Sequence, residues 1–184
     1  NTSGVLVVAR TRHFAGRLQP QFAAGEVGKR YLVRVQGQPV ADRIVCEAPV
    51  GTEAGVVGTR RVDPEAGLAA CTSFTVLERL PDGTAILEAC PQTGRTNQIR
   101  LHCAHLGFPV VGDQAYGAGP GEMLAQTVAP GASPLCLHSW EITIRHPATG
   151  EALRFAAPAP AWAGRLAGTA PLQSGQNTRI EGVP

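Results

Sequence analysis

Short apolar stretches with alternating or β-branched character recur along the chain and predict strands. Each stretch is too short for a typical helix, and turn-forming residues lie between neighbouring stretches. Two pairs are separated by turn clusters, Pro81-Asp82-Gly83 and residues 146–150, which indicates hairpins. Residues 43–67 show little periodicity and predict short strands and loops. The predicted strands span residues 4–9, 31–35, 71–80, 84–89, 136–145 and 152–156.

Apolar positions four residues apart predict a helix after the first strand. Phe14, Leu18 and Phe22 recur at this spacing, and Thr11 precedes them as a candidate N-cap residue. Pro20 lies inside the pattern, where a proline removes a backbone donor and clashes with the preceding turn. We therefore expect Pro20 to kink or shorten the helix.

Strands outnumber helices, and their hairpin links favour antiparallel pairing. We therefore expect an α+β fold with a mixed, mainly antiparallel β-sheet, flanking helices and a central active-site cleft. Residues 117–134 are rich in glycine, proline and alanine and predict a loop, with a short helix around Met123. Residues 1–166 form the predicted domain. Residues 167–184 contain few large apolar side chains and form the expected flexible tail.

Composition narrows the class of protein. The 184 residues are 43% hydrophobic and 16% charged, which suits one domain with a buried core. No apolar run approaches the roughly 20 residues of a membrane helix and no secretory signal is present, so we expect no membrane association and a cytoplasmic location. The net charge of +2, with 15 arginines and one lysine, permits nucleic-acid binding without demanding it. Five cysteines without a Cys-x-x-Cys pair argue against a disulfide framework and a zinc knuckle.

The densest polar cluster spans residues 93–102, where a second, short helix is predicted over residues 97–106. Thr96 is the expected N-cap of this helix, and Gly107 is its expected end. A Gly-Arg-Thr turn before a helix N-terminus offers free backbone N–H groups and a guanidinium, which suit a phosphate. The alternative from spacing alone is a capped surface helix with solvated arginines.

Two other features allow a structural and a functional interpretation. Tyr31 begins a strand, where a tyrosine is usually half-buried packing, but it could also face a flipped base or transfer a proton. His102, Cys103 and His105 lie close together in the sequence without the usual ligand spacing of a zinc site. We favour structural histidines and predict no metal. A metal-dependent hydrolase built on this cluster is an alternative hypothesis.

The polar cluster and the residues after it carry a family resemblance. TGRTNQIRLH at residues 93–102 resembles the Thr-Gly-Arg-Thr-His-Gln-Ile-Arg motif of the RluA-like family of RNA pseudouridine synthases. HLGFPVVGDQAYG at residues 105–117 resembles the Gly-x-Pro-x-x-Gly-Asp segment that follows this motif in the family. The long motif is highly specific, so the chain is identified as a member of this family.

Four further segments resemble the same family in the same order. TSGVL at residues 2–6 resembles the end of a first signature, in which a His-Arg-Leu-Asp stretch runs into Thr-Ser-Gly. GKRYLVRV at residues 28–35 resembles the Lys-x-Tyr strand of the family. LHSW at residues 137–140 and HPATGEALRFAAPAP at residues 146–160 resemble its closing hairpin.

The resemblance implies a reaction on structured RNA, either ribosomal or transfer RNA. The uracil of a uridine is detached, turned and reattached through carbon 5, without a cofactor, a metal or an obligate protein partner. The family nucleophile is an aspartate two residues before the position of Asn1. We therefore expect an N-terminally incomplete catalytic domain of an isomerase, inactive as this chain alone. The alternative is a non-catalytic RNA-binding fragment or pseudoenzyme of the same fold.

The resemblance also implies roles for individual residues. Arg100 matches the arginine that pairs with the catalytic carboxylate and keeps it ionised, and Tyr31 matches the tyrosine beside the target base, so both are predicted as catalytic. Ile99 would form an apolar wall of the pocket. Asn97 departs from the family, which usually has histidine there. The residues predicted to bind substrate are Arg95, Thr96, Asn97, Gln98, Ile99, Thr2, Ser3 and Gly4.

Overall fold

The described residues form a seven-stranded β-sheet with helices packed on it. This computed structural model describes residues 2–55, 58–117, 134–167 and 169. The helices are α1 (Arg12–Ala23) and α2 (Gln98–His105), and a short 3-10 helix covers Gly164–Leu166. The strands are β1 (Ser3–Gly4), β2 (Gly28–Gln36), β3 (Arg43–Cys46), β4 (Thr72–Arg79), β5 (Thr84–Pro91), β6 (Leu137–Arg145) and β7 (Ala152–Ala156).

The strand order is β1-β6-β2-β5-β4-β3, and β7 pairs with β6 beside β1. β1 and β6 run parallel, whereas the other pairs of described strands are antiparallel. The turn Pro81-Asp82-Gly83 joins β4 to β5, and residues 146–150 join β6 to β7. The predicted α+β fold, its mainly antiparallel sheet and both predicted hairpins are confirmed.

The strand predicted over residues 4–9 is wrong beyond its start. β1 pairs with β6 as far as Ser139, but β7 occupies the same edge of β6 from Glu141 onwards. The chain leaves the ladder after Val5, whose N–H still donates to the Ser139 carbonyl at 2.9 Å. Residues 5–9 still alternate, with Val5, Val7 and Ala9 packed and Leu6 and Val8 exposed, but residues 6–9 do not pair with a strand.

Helix α1 begins where the sequence predicts. The Thr11 hydroxyl accepts a hydrogen bond from the Phe14 N–H at 3.3 Å, as an N-cap side chain does. Pro20 does not end the helix, which continues beyond it, so the expected shortening is wrong. The reason is Gln21, because its buried amide exchanges two hydrogen bonds with the Arg145 backbone, at 3.0 and 2.9 Å, and holds the last turn on β6.

Helices α1 and α2 cover the same face of the sheet. Side chains alternate along β2, so Lys29 and Val33 share a face, and Val33 packs in one cluster with Ile99 of α2. Lys29 lies opposite Ile142 of β6, and cross-strand neighbours share a face. Ile142 packs in turn with Leu18 of α1. The other face packs against the chain around the 3-10 helix.

Some expectations fall on residues that the structure does not describe. The short helix around Met123, and almost all of the expected tail at residues 167–184, lie outside the described residues. Within the described part of the chain, no helix has the length and apolar character needed to cross a membrane. The five cysteines are free thiols.

Two buried histidines lead us to expect lower stability in mild acid. His102 and His138 are 0% and 4% exposed, and burial lowers the pKa of each from its ordinary 6.5. Both stay neutral in the folded protein and take up protons more readily in the unfolded chain, so their destabilising effect is absent above about pH 6.5 and grows as the pH falls below it. The free energy of unfolding should decrease by up to about 1.4 kcal/mol per pH unit for each histidine, measured by urea denaturation.

Single substitutions separate these histidines from other titrating groups. A His138→Gln variant should lose part of the pH dependence, whereas His13→Gln, at an exposed position on α1, should retain it. The same pH dependence in the wild type and the His138→Gln variant would contradict the assignment.

Candidate active site

A cleft of about 600 Å³ opens on the sheet face that carries both helices, between β1 and the start of α2. Four separate parts of the chain meet there, and apart from Thr96 the residues predicted for the site all line it. The described lining residues are Thr2, Ser3, Gly4, Val5, Leu6, Lys29, Tyr31, Pro91, Thr93, Gly94, Arg95, Asn97, Gln98, Ile99, Arg100, Leu135, Leu137 and Ser139.

The cleft is electropositive. Its described lining contains three cations, Lys29, Arg95 and Arg100, and no carboxylate. Lys29 Nζ donates to the Thr93 carbonyl at 3.1 Å, and burial lowers its pKa. Arg95 Nε donates to the Ala69 carbonyl at 3.0 Å. Such a cleft with one sign of charge attracts an anionic ligand such as a phosphodiester chain.

Gln98 holds the turn that precedes α2. Its side chain is 3% exposed and makes four hydrogen bonds. Oε1 accepts from the Thr93 hydroxyl at 2.7 Å and from the Arg95 N–H at 2.9 Å. Nε2 donates to the Cys71 carbonyl at 3.0 Å and to the Thr72 hydroxyl at 2.9 Å. The amide therefore holds the turn against the start of β4 by hydrogen bonds. The predicted contact of Gln98 with substrate stays a prediction.

Asn97, not Thr96, occupies the N-cap position of α2, so the predicted cap is wrong. Asn97 has a left-handed backbone, with φ 57° and ψ 16°, a conformation in which asparagine is enriched. Its Nδ2 donates to the Gly58 carbonyl at 3.2 Å, and its Oδ1 accepts from Arg100 Nη1 at 3.3 Å. Thr96 is exposed and lies outside the described lining of the cleft, and its predicted contact with substrate stays a prediction.

A bidentate ion pair with Asp113 fixes the orientation of the Arg100 guanidinium. Its Nε and Nη2 each donate to one oxygen of the Asp113 carboxylate at 2.7 Å, and this hydrogen bonding raises the pKa of Arg100. The Asp113 side chain is 0% exposed and also accepts from the Ala115 and Tyr116 N–H groups at 2.9 and 3.0 Å. The Tyr116 ring centre lies 5.0 Å from the guanidinium carbon. Arg100 is thus a permanent cation in a set orientation.

Tyr31 is a half-buried phenol in the cleft. It packs against the cluster that includes Ile99 and Leu137. Burial raises the pKa of Tyr31, and the Ser139 side chain opposite it offsets part of this. The phenol is therefore protonated at neutral pH and can donate a proton or a hydrogen bond. Ile99, 8% exposed, forms an apolar part of the wall, as predicted.

β1 approaches β6 unusually closely. Gly4 has φ 104°, and a Cβ atom at this position would lie 2.1 Å from the Ser139 carbonyl oxygen, so glycine is required. Beside it, the Ser3 hydroxyl lies 2.8 Å from His138 Nδ1, and burial of His138 keeps this ring neutral by lowering its pKa. These contacts hold the opening segment of the chain against one wall of the cleft.

Two members of the histidine–cysteine cluster, His102 and Cys103, belong to the core, whereas His105 is exposed. His102 Nε2 lies 2.9 Å from the Ala48 carbonyl, and Cys103 is 1% exposed, with its thiol pKa raised by burial. Within residues 2–55, 58–117 and 134–167, no three side chains of the metal-ligating types come together. The metal-dependent hydrolase hypothesis therefore has no support from the geometry.

Sequence reasoning did not identify Lys29, Ser139 or Asp113 as part of the site. A signal for Lys29 was available, because it precedes Tyr31 by two residues on a strand and therefore shares its face. Asp113 and Ser139 lie in the segments 105–117 and 137–140 that resemble the family, but their spacing alone does not place them at the cleft. Ser139 enters the cleft through the register of β2 and β6, and Asp113 lies thirteen residues beyond its partner Arg100.

Known proteins resemble this chain along most of its length. A family model described as RNA pseudouridylate synthase matches residues 1–105. Dual-specificity RNA pseudouridine synthase RluA of Escherichia coli (strain K12) is 38% identical over 158 residues, which is 86% of this chain and 69% of that protein. Ribosomal large subunit pseudouridine synthase C of Vibrio vulnificus (strain CMCP6) is 37% identical over 158 residues, which is 86% of this chain and 49% of that protein.

A solved structure has the same fold. Human RNA Pseudouridylate Synthase Domain Containing 1 superposes with a TM-score of 0.67 at 28% sequence identity, covering 83% of this chain and 63% of that one. The chain thus spans a part of each relative's length. With the identities to the bacterial synthases and the match of more than half of its residues to the family, the chain belongs to the RNA pseudouridylate synthase family.

Proposed function

We propose that this domain isomerises specific uridines to pseudouridine in structured ribosomal or transfer RNA, with the nucleophilic aspartate supplied from residues before Asn1. One observation carries the proposal: β1, Tyr31 and Arg100 meet around an electropositive cleft whose described lining has no carboxylate. In the family motif that residues 2–6 resemble, the aspartate closely precedes this segment. The proposed reaction uses no metal, cofactor or partner protein and takes place in the cytoplasm.

The size and lining of the cleft suit a nucleotide turned out of its RNA stack. A volume of about 600 Å³ falls in the usual range of sites for small ligands. Enzymes that act on a base within structured RNA must extrude the nucleotide to reach it. Tyr31 and Ile99 supply apolar surface for the base, while Lys29 and Arg95 can meet the flanking phosphates.

Arg100 and Tyr31 have complementary roles in this proposal. Arg100 provides a fixed positive charge beside the nucleophilic carboxylate, which favours the ionised form of that carboxylate at neutral pH. Asp113 takes one N–H of Nη2 together with Nε, and Asn97 accepts from Nη1, so the contact to the nucleophile falls to the second N–H of Nη1 or Nη2. Tyr31 stays protonated because its pKa is raised, so it can donate to the base or sugar during the transfer.

Tritium release from RNA labelled at carbon 5 of uridine tests the proposal, because forming the new bond at this carbon displaces its hydrogen. We expect release by a chain extended upstream to include the aspartate, and none by the 184 residues alone. A matched control is the extended chain with that aspartate replaced by asparagine, which should bind RNA without releasing tritium.

Other outcomes have definite meanings. No release from either chain, with RNA still bound, would support the non-catalytic RNA-binding alternative. Release from the 184-residue chain would show that another residue is the nucleophile, and the proposed arrangement would be wrong.

A further inference from the structure

Four exposed arginines lie on or next to α1 and outside the described lining of the cleft, and we call them the arginine patch: Arg10, Arg12, Arg17 and Arg145. Arg12 and Arg17 belong to α1, and Arg10 immediately precedes this helix. Arg145 is the last residue of β6 and is fastened to α1 by the paired hydrogen bonds of Gln21 with its backbone.

No arginine of the patch has an ion pair among the described residues. Arg10 and Arg12 have no side-chain hydrogen bond there, and Arg17 and Arg145 donate only to backbone carbonyls. Residues 1–25 contain no aspartate or glutamate. Most other arginines differ, since they pair with carboxylates. These paired arginines are Arg30, Arg34, Arg61, Arg79, Arg100, Arg154 and Arg165.

The patch borders the cleft. α1 packs on the same face of the sheet as the cleft, through Leu18 and Ile142. The segment that links β1 to α1 begins inside the cleft, because Val5 and Leu6 line the cleft. Arg10 follows Leu6 by four residues, which an extended chain spans in at most about 14 Å. A polyanion that leaves the cleft along this segment therefore comes within reach of the patch.

We propose that the arginine patch binds the phosphate backbone of the RNA strand that flanks the target nucleotide. The inference rests on the proposed function, and it names a second RNA-binding surface beyond the cleft. Unpaired arginines are suited to phosphates because their guanidinium forks donate two parallel hydrogen bonds. Arg12 and Arg17 are separated by about 7.5 Å along the helix axis and by about 140° around it, so they can contact separate phosphates. Such contacts position the RNA without reading its sequence.

The test compares two double variants of the complete protein in binding a fluorescent RNA hairpin with a loop of uridines. Arg10→Gln with Arg12→Gln removes two patch charges that have no side-chain hydrogen bond or ion pair in the described structure. Arg43→Gln with Arg165→Gln removes the same net charge from exposed positions outside the patch. The patch variant should raise Kd by roughly tenfold at physiological salt, and the slope of log K against log salt should become shallower by about 1.4 for a single-stranded contact. The control variant should change Kd less than twofold.

Three results would overturn the proposal. An unchanged Kd in the patch variant would show that RNA does not reach α1. Equal weakening in both variants would show an effect of net charge rather than a contact. Normal RNA binding by the patch variant together with lost binding of an acidic protein would identify a different partner.

Failure of the proposed function is distinguishable from failure of this inference. RNA binding is measured without turnover, so a patch effect without tritium release would contradict the proposed function and leave the patch in place. Tritium release by the complete protein, together with an unchanged Kd in the patch variant, would support the proposed function and contradict the patch. A cooperative thermal unfolding transition in each variant confirms that it is folded.

Discussion

Replacement of Arg100 by alanine in the upstream-extended chain is expected to lower tritium release by roughly 10²–10³-fold, while RNA binding changes by only a few-fold. The guanidinium is held in place by Asp113 and is a cation at every physiological pH. Without it, the neighbouring carboxylate loses the charge that keeps it ionised and the donor that orients it. Single-turnover rates and RNA Kd measured on the same preparations separate these two effects.

The same substitution also affects stability. Arg100→Ala leaves the carboxylate of Asp113 buried, at 0% exposure, with backbone N–H groups as its remaining donors. Removing one partner of a buried ion pair costs about 3–5 kcal/mol, so part of the population could unfold.

A double variant keeps the prediction about Arg100 testable. In Arg100→Ala with Asp113→Asn, both charges are absent, so the free energy of unfolding should recover by about half of what Arg100→Ala alone loses. Tritium release should not recover. If the double variant were both stable and active, the catalytic role of Arg100 would be wrong, and its ion pair would be structural.

Gly4→Ala is expected to detach β1 from β6 and to lower tritium release by at least roughly 100-fold, because misplacing a reacting group by an ångström can cost this much. The added Cβ atom would lie 2.1 Å from the Ser139 carbonyl oxygen, and the backbone at φ 104° disfavours any side chain. The strand that leads into the proposed nucleophile would then shift from the wall of the cleft. Release kinetics and the melting temperature are the measurements.

Gly150→Ala is the matched control for backbone strain. Gly150 has φ 78°, but a Cβ atom there meets nothing within 4 Å. This variant should lose about 1 kcal/mol of stability from the left-handed backbone and keep its activity. Wild-type activity of Gly4→Ala would show that β1 does not contact Ser139 in the working enzyme.

The structure agrees with the sequence at most positions where the signal is local, although the N-cap of α2 is Asn97 and not Thr96. β4 and β5 form the predicted hairpin because Pro81-Asp82-Gly83 turns the chain between two short, apolar-rich segments. The start of α1 is equally local, since Thr11 caps a turn three residues away. The family motif at residues 93–102 also identified one side of the cleft, because its residues are neighbours in sequence.

Two of the wrong predictions share a cause, which is a contact distant in sequence. The strand expected beyond Gly4 ends because β7 has taken the edge of β6. α1 continues past Pro20 because Gln21 bonds to the backbone of Arg145. Neither partner lies within the window of residues over which periodicity and propensity are read.

The amino-acid sequence by itself determined the fold class, most of the strands, the family resemblance and the residue types of the site. These follow from alternation, turn chemistry and motif spacing, all of which act over a few residues. Only the tertiary structure decided which groups face one another: Asp113 behind Arg100, and His138 beside Ser3. Strand register and helix docking set these pairs, and each depends on packing between parts of the chain that are distant in sequence. β1 and β6, for example, are more than a hundred residues apart.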